Sequence, residues 1–365
     1  MLIWLILKKF FLSINRVFAV FGRVFFGALR VFFRQLLISV SAAFVLAGSA
    51  VAAPAATGDA VASLRPASVY APAKPQVKTP KRRTRARFTR QRPSVAMLAG
   101  LRDTPDPLEL SSSVAYMADQ DSGEVFFEKN ADVRLPIASV TKLMTALVIV
   151  ESELPMKAKL RVTRADYVKS RAESKLRNGM VLTREATLQA ALMSSDNRAA
   201  HMLARTYPGG VKAFVKAMNE KAAELGMTSS RFTDPTGLSN ENISTARDLG
   251  LLAAAAHGYA VIRKASTTPT ALLNAGISKL RLQTTNRLIG DPRWNVGLQK
   301  TGFTTAAGRC MVVQSEFAGH RLVMVVLDSA TNGKRADDML RMRRWLEDET
   351  EYQAVFAKST PYELM

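Results

Sequence analysis

Between residues 112 and 130, apolar side chains gather in two short extended runs, Val114-Ala115-Tyr116-Met117-Ala118 and Glu124-Val125-Phe126-Phe127. The turn formers Asp119-Gln120-Asp121-Ser122-Gly123 separate them, so the pair predicts a β-hairpin. From residue 139 to 150 the period changes. Leu143, Met144, Leu147 and Val148 recur at the spacing of one helix face. Helical spacing then dominates residues 185–275, with helices predicted over 188–193, 199–206, 211–225 and 246–256. Extended apolar runs return at 295–301, 309–315 and 322–327. A closing helix is predicted over 335–347, with Met339, Leu340, Met342 and Leu346 as its apolar stripe.

The order strands, helices, strands, final helix predicts an antiparallel sheet, with the inserted helices forming a second lobe. The expected fold class is therefore α/β and two-lobed: an antiparallel sheet flanked by helices plus an all-helical lobe. A cleft between the lobes is the natural place for a site. The catalytic domain is expected over 111–350, followed by a short tail over 351–365. No internal repeat at solenoid periods is found.

The pattern is different before residue 111. From Gln35 to Gly58 there is no charge, and residues 36–46 are largely apolar. The stretch closes on Ala50-Val51-Ala52, small residues at the spacing a signal peptidase accepts. A signal peptide over 1–52, cleaved near Ala52, is expected, with the periplasm as destination. The alternative is an uncleaved membrane anchor, for which the stretch is marginal in length. Residues 1–33 space Lys8, Lys9, Arg16, Arg23 and Arg30 through Phe, Leu and Val. That pattern suits an interfacial amphipathic helix, or a translation start nearer Val31 that would leave a signal peptide of ordinary length. Residues 53–110 are rich in Ala, Pro, Ser and Thr and contain Lys81-Arg82-Arg83-Thr84-Arg85-Ala86-Arg87. Such a segment buries too little surface to offset its ordering entropy, so it is expected to be a flexible basic tether.

Charge follows the same division. The 365-residue chain carries a formal +21, with 17 basic and 4 acidic side chains in residues 1–110 against 34 and 26 in the rest. Export disfavours nucleic acid as the partner of this excess. The tether is either a solvated linker or a salt-sensitive peripheral contact to membrane or anionic wall polymer. The single cysteine, Cys310, excludes an intramolecular disulfide, and Cys310-Met311-Val312-Val313 reads as a buried strand with a core thiol. The three histidines, His201, His257 and His320, are too scattered for a metal site, and no cofactor is expected.

Three motifs carry candidate chemistry: Ser139-Val140-Thr141-Lys142, Ser195-Asp196-Asn197 and Lys300-Thr301-Gly302. Ser139 falls at a predicted helix start, where unpaired amides and the dipole favour an oxyanion. Lys142, three residues on, shares its face and can take the Ser139 proton if burial or a second cation keeps it neutral. Alone, this is equally a capping serine followed by a solvated lysine. Ser195-Asp196-Asn197 breaks two helical runs, as capping residues ordinarily do. Functionally, the Ser195 hydroxyl can relay a proton between Lys142 and a leaving amine, and the Asn197 amide can donate to and accept from a substrate backbone. Lys300-Thr301-Gly302 ends a predicted strand. It supplies a cation for a substrate carboxylate, a hydroxyl, and a position without a side chain where a peptide must approach. The Phe303 amide can join that of Ser139 as a second oxyanion donor, and Lys300 can be the second cation beside Lys142. Each motif has a bland explanation. Their joint occurrence in order, each on the element its role needs, favours catalysis.

In that order the motifs resemble those of the low-molecular-mass penicillin-binding proteins, the serine D-alanyl-D-alanine peptidases. The flanking text resembles the endopeptidase branch. It includes Pro136-Ile137-Ala138-Ser139 with Leu143-Met144-Thr145-Ala146, and Ala191-Leu192-Met193-Ser194-Ser195 with Asn197-Arg198-Ala199-Ala200. Tyr207-Pro208-Gly209-Gly210, Pro235-Thr236-Gly237-Leu238, Ser244-Thr245-Ala246-Arg247-Asp248-Leu249 and Lys300-Thr301-Gly302-Phe303-Thr304 continue it. The resemblance spans residues 112–350. It implies acylation of Ser139 by a D-alanyl carbonyl, hydrolysis of the acyl-enzyme, and peptidoglycan cross-bridges as substrate. It also implies β-lactams as inhibitors at the same serine. A β-lactamase would need a deacylating glutamate in an E-x-x-L-N pattern, which is missing between Asn197 and Lys300. A carboxypeptidase of this family often appends a β-rich domain and an anchor, whereas few residues follow the last predicted helix here. A non-catalytic wall-binding module is disfavoured because every motif residue is intact.

Overall fold

The computed structural model describes residues 92–359, except Ile277 and Ala318. The expected signal peptide over 1–52 and most of the basic tether lie outside the described residues. The described chain forms eleven strands and eight α-helices. Five strands make the central sheet: β1 (Val114–Asp119), β2 (Val125–Lys129), β9 (Asn295–Thr304), β10 (Gly308–Phe317) and β11 (His320–Ser329). Their order is β2-β1-β11-β10-β9, antiparallel throughout, so the two ends of the domain meet where β1 pairs β11.

Alternation on this sheet fills two cores. Val114, Tyr116, Ala118, Val312, Val323, Val325 and Leu327 face the helical lobe. Ala115, Met117, Met311, Val313, Leu322, Met324 and Val326 face the last helix, α8 (Asn332–Ser359), through Met339, Met342 and Leu346. Burial on both faces explains why β11 reads as an unbroken apolar run.

The helical lobe surrounds α2 (Lys142–Glu151), whose residues from Lys142 to Ile149 are all buried. A helix apolar on every side belongs in a core, and this one carries the candidate lysine at its first position. Around it stand α3 (Arg184–Met193), α4 (Asn197–Arg205), α5 (Gly210–Glu224), α6 (Ala246–His257) and α7 (Ala260–Thr267). Three small pairings accompany them: β3 (Leu135–Pro136) with β6 (Ile243–Ser244), β4 (Lys159–Arg161) with β5 (Val181–Thr183), and β7 (Thr270–Asn274) with β8 (Lys279–Gln283). These pairings and α7 escape the periodicity reading because runs of two to eight residues carry too few turns of either period.

Three boundaries differ from expectation. The segment before residue 111, expected as tether, is packed from about residue 93. Ser94 caps the short helix α1 (Val95–Leu98), Val95 N donates to Ala306 O at 2.9 Å, and Arg102 reaches Asp328 Oδ2 at 2.9 Å. Lys129 Nζ meets Asp106 Oδ2 at 2.8 Å with both side chains buried. Its ion pairs and its buried Ala96 and Leu110 are made with distant segments, which composition does not reveal. The last helix runs to Ser359, past the expected 347 and into the expected tail. Lys300-Thr301-Gly302 lies inside β9, which continues to Thr304 before turning at Gly308.

Removing one partner of a buried ion pair leaves the other charge uncompensated, at about 3–5 kcal/mol. Asp106→Ala should therefore lower unfolding free energy by about 3 kcal/mol in urea titration. A loss below about 0.5 kcal/mol would mean that the 93–110 segment is not part of the folded unit.

Candidate active site

Ser139 sits in a 3₁₀ turn, Ala138–Thr141, that feeds directly into α2. Ala138 before it has φ +48°, a left-handed conformation that L-residues adopt only under constraint. The constraint comes from the loop over residues 234–242. Asn242 Nδ2 donates to Thr141 Oγ1 at 3.1 Å, and Thr141 Oγ1 donates to Ala138 O at 2.8 Å. Gly237, itself at φ +79°, passes so close that a Cβ there would lie 1.8 Å from Ala138 O.

Lys142 is wholly buried and makes three bonds through Nζ: to Ser139 Oγ at 2.8 Å, Asn197 Oδ1 at 2.8 Å and Thr236 O at 2.7 Å. Burial lowers its pKa to about 7, against the opposing pull of the Asp234 and Asp196 carboxylates. A neutral amine keeps two N–H donors and one lone pair. Asn197 Oδ1 and Thr236 O can hold the donors, which leaves the lone pair for the Ser139 proton.

Ser195-Asp196-Asn197 joins α3 to α4. Asp196 caps α4 by accepting from Ala199 N at 3.0 Å, the ordinary role of an aspartate at a helix start. Ser195 has φ +59°, and its Oγ accepts from Lys300 Nζ at 2.9 Å. Asn197 holds Lys142 through Oδ1 and donates through Nδ2 to Ser170 Oγ at 3.0 Å. The amide expected to serve a substrate backbone is thus largely engaged in positioning Lys142, with one N–H to spare.

The third motif lies on β9, whose outer edge is unpaired in the sheet order. Such an edge can accept an extended peptide. Lys300 is wholly buried and also donates to Thr301 O at 2.7 Å. Thr301 Oγ1 is hydrogen-bonded to Thr285 Oγ1 at 2.6 Å. Gly302 allows β9 to touch the nucleophile turn, since a Cβ there would lie 3.0 Å from Ile137 O and 3.1 Å from Ser139 N. Phe303 follows, 44% exposed, with Arg309 4.8 Å over its ring.

The structure therefore brings Ser139, Lys142, Ser195, Asn197, Lys300, Thr301, Gly302 and Phe303 to one place. Burial is the first cause of the lowered Lys142 pKa. Burial, Lys142 and Arg335 take Lys300 well below its ordinary value, so the two ammonium groups repel each other. One expectation needs correction. The Ser195 hydroxyl, expected beside Lys142, is bonded to Lys300. Ser170, Asp234, Thr236, Gly237 and Thr285 were not singled out for roles in the sequence. Thr236 acts through a backbone carbonyl, which no side-chain pattern reveals, and only the turn residues Pro235 and Gly237 signal this loop.

The family described as D-alanyl-D-alanine carboxypeptidase, peptidase S11, matches residues 102–331. The chain belongs to this family. A D-alanyl-D-alanine endopeptidase of Pseudomonas aeruginosa is 44% identical over 242 residues, covering 66% of this chain and 78% of the relative. One from Escherichia coli is 40% identical over 257 residues, covering 70% and 83%. Among solved structures, the Streptomyces K15 DD-transpeptidase is similar with a TM-score of 0.61 at 27% identity, over 65% of this peptidase and 97% of that chain. Penicillin-binding protein D2 from Listeria monocytogenes, in its ampicillin-bound form, gives 0.58 at 31% identity, over 65% and 98%. This peptidase is accordingly a serine D-alanyl-D-alanine hydrolase of the penicillin-binding group, acting on peptidoglycan stem peptides, with the two-lobed fold of its relatives.

Gly237→Ala would force a methyl group into the Ala138 carbonyl. The expected result is a slower penicillin acylation, by tenfold or more, with stability lowered on the order of 2–4 kcal/mol. Acylation at the wild-type rate would show that the turn does not depend on this loop.

Proposed function

We propose that this protein is a periplasmic serine endopeptidase that hydrolyses the D-alanyl cross-bridges between peptidoglycan stems. The observation that carries the choice of bond is the graded similarity. The relatives named endopeptidases stand at 44%, 40% and 38% identity, whereas those named carboxypeptidases in Bacillus subtilis and Escherichia coli stand at 31%, 30% and 27%. Export is supported by the uncharged run over 35–58 with its Ala50-Val51-Ala52, and the basic tether is suited to peripheral contact with membrane or anionic wall polymer.

In this reading neutral Lys142 takes the Ser139 proton while Oγ attacks the D-alanyl carbonyl. The amides of Ser139 and Phe303 hold the oxyanion. Lys300 donates to Ser195 Oγ, so the Ser195 proton is the one free to pass to the leaving amine. Collapse of the tetrahedral intermediate expels that amine and leaves an ester on Ser139. The proton that Lys142 took then passes to the Ser195 oxygen, which leaves Lys142 neutral and Ser195 protonated again. Water attacks the ester, and Lys142 accepts a water proton and returns it to Ser139 Oγ as that oxygen departs. Lys300 and Thr301 hold the substrate's anionic end and the edge of β9 pairs its backbone, with Gly302 admitting the close approach. Penicillin acylates the same serine. The second reading, a carboxypeptidase, is favoured by the description of the family itself.

Digestion of purified cross-linked muropeptide dimers beside linear pentapeptide separates the two readings. Cleavage of dimers to monomers is expected, and loss of terminal D-alanine with dimers intact would overturn the endopeptidase reading. Ser139→Ala should abolish labelling by fluorescent penicillin; labelling that persists would remove Ser139 as nucleophile. Because Lys142 must be neutral to act, the acylation rate should rise with pH through a limb near 7 and level off above it. A rate flat from pH 5 to 9 would count against Lys142 as the base.

A further inference from the structure

Arg164 and Arg198 line a single cavity of about 350 Å³ together with Thr163, Tyr167 and Asn178. That volume falls among small-ligand sites, which run from about 300 to 1,000 Å³. The lining offers guanidinium, phenol, amide and hydroxyl donors and contains no carboxylate. Among the described residues neither arginine has an ion-pair partner. The acids next to them in the chain are committed elsewhere. Asp166 is buried and accepts from Arg205 Nε at 2.7 Å and from its second terminal nitrogen at 2.9 Å. Asp196 caps α4 and accepts from Ser174 Oγ at 2.9 and 2.8 Å.

Arg198 is held in place. One guanidinium nitrogen donates to Leu176 O at 2.7 Å, and the group lies 5.4 Å over the Tyr167 ring. Pinned along one edge and one face, it needs little ordering to present its remaining donors. The surrounding segment adds Arg161, Lys169, Arg171, Lys175 and Arg177 against Glu173 alone once Asp166 is discounted. Arg161 and Lys175 spend their bonds on carbonyl oxygens of Gly179 and Arg281. The guanidinium groups of Arg164 and Arg198 therefore keep donors free for an anion.

The cavity's position says what would fill it. Asn197 Nδ2 ties this segment to the reaction site through Ser170 Oγ at 3.0 Å, and Arg198 is the next residue of the same helix. Successive helix residues diverge by about 100°, so Arg198 turns away from Ser139. Lys300 and Thr301 already serve the anionic end next to the scissile carbonyl. The geometry points to the Arg164–Arg198 cavity as a subsite for a carboxylate that the stem peptide carries away from the scissile bond. This inference rests on stem peptides as substrate and not on which D-alanyl bond is cut.

The test uses the full chain with linear pentapeptide stems and cross-linked dimers, each prepared with free or amidated side-chain carboxyl groups. Arg164→Gln, Arg198→Gln and the double variant are compared with the wild type. Binding is also read as protection against penicillin acylation, which reports even where turnover is slow. The wild type should favour the carboxylate forms. The double variant should raise KM for those forms about tenfold, with kcat held within about twofold and the amidated forms little moved. Arg198→Lys should restore part of the loss as a point charge without the fork. An equal loss on carboxylate and amidated forms would reduce both arginines to structural roles and overturn the subsite. A wild type indifferent to amidation would overturn it too. Dimers left uncut while linear stems still show the preference would refute the endopeptidase reading and leave the subsite standing.

Discussion

The structure depends on one buried amine. Lys142 Nζ is reached by the nucleophile turn, by Asn197 at the start of α4 and by the Thr236 carbonyl. These groups come from three segments far apart in the chain. Burying an ammonium costs several kcal/mol even after relaxation, so the site is stable only with all three partners present or with the amine neutral. The same desolvation that makes the lysine costly brings its pKa to about 7 and makes it a base. Packing requirement and chemical capacity are one constraint here.

The rest of the fold can be understood as holding that meeting point. α2 is buried from Lys142 to Ile149, so the Lys142 side chain is held out of bulk solvent. The 234–242 loop is fastened by Asp234, which accepts from the amides of Gly237 and Ser239 at 2.9 and 2.8 Å, and by Asn242. Its Gly237 presses Ala138 into the left-handed region. β9 approaches from the other side, and Gly302 lets its backbone reach the turn. Because β10 pairs only one side of β9, the other side remains an open edge beside the serine.

The sequence was most informative where side-chain identity and period carry the information. Leu143, Met144, Leu147 and Val148 marked the buried helix, and 322–327 marked β11 because both faces of the sheet are covered. Ser139, Lys142, Ser195, Asn197 and Lys300 were legible because their chemistry resides in side chains at fixed spacings. It was least informative where backbone atoms or paired charges act. The Thr236 carbonyl has no residue signature, and Ser170 is an ordinary loop serine until it accepts from Asn197. The 93–110 segment looked like linker because the partners of Asp106 and Arg102 lie 23 and 226 residues away.

Sequence alone thus determined the reaction class: a serine with a lysine one turn on, a hydroxyl and amide between helices, and a cation with a hydroxyl and glycine on a strand. Local rules suffice for that, since helix and strand periods set which side chains share a face. Only the tertiary structure decided how the parts divide the work. It gave Ser195 to Lys300, turned Asn197 toward Lys142, lowered Lys142 by burial and gathered Arg164 and Arg198 around one cavity. Those outcomes depend on desolvation and on contacts between distant segments, and neither quantity exists until the chain has folded.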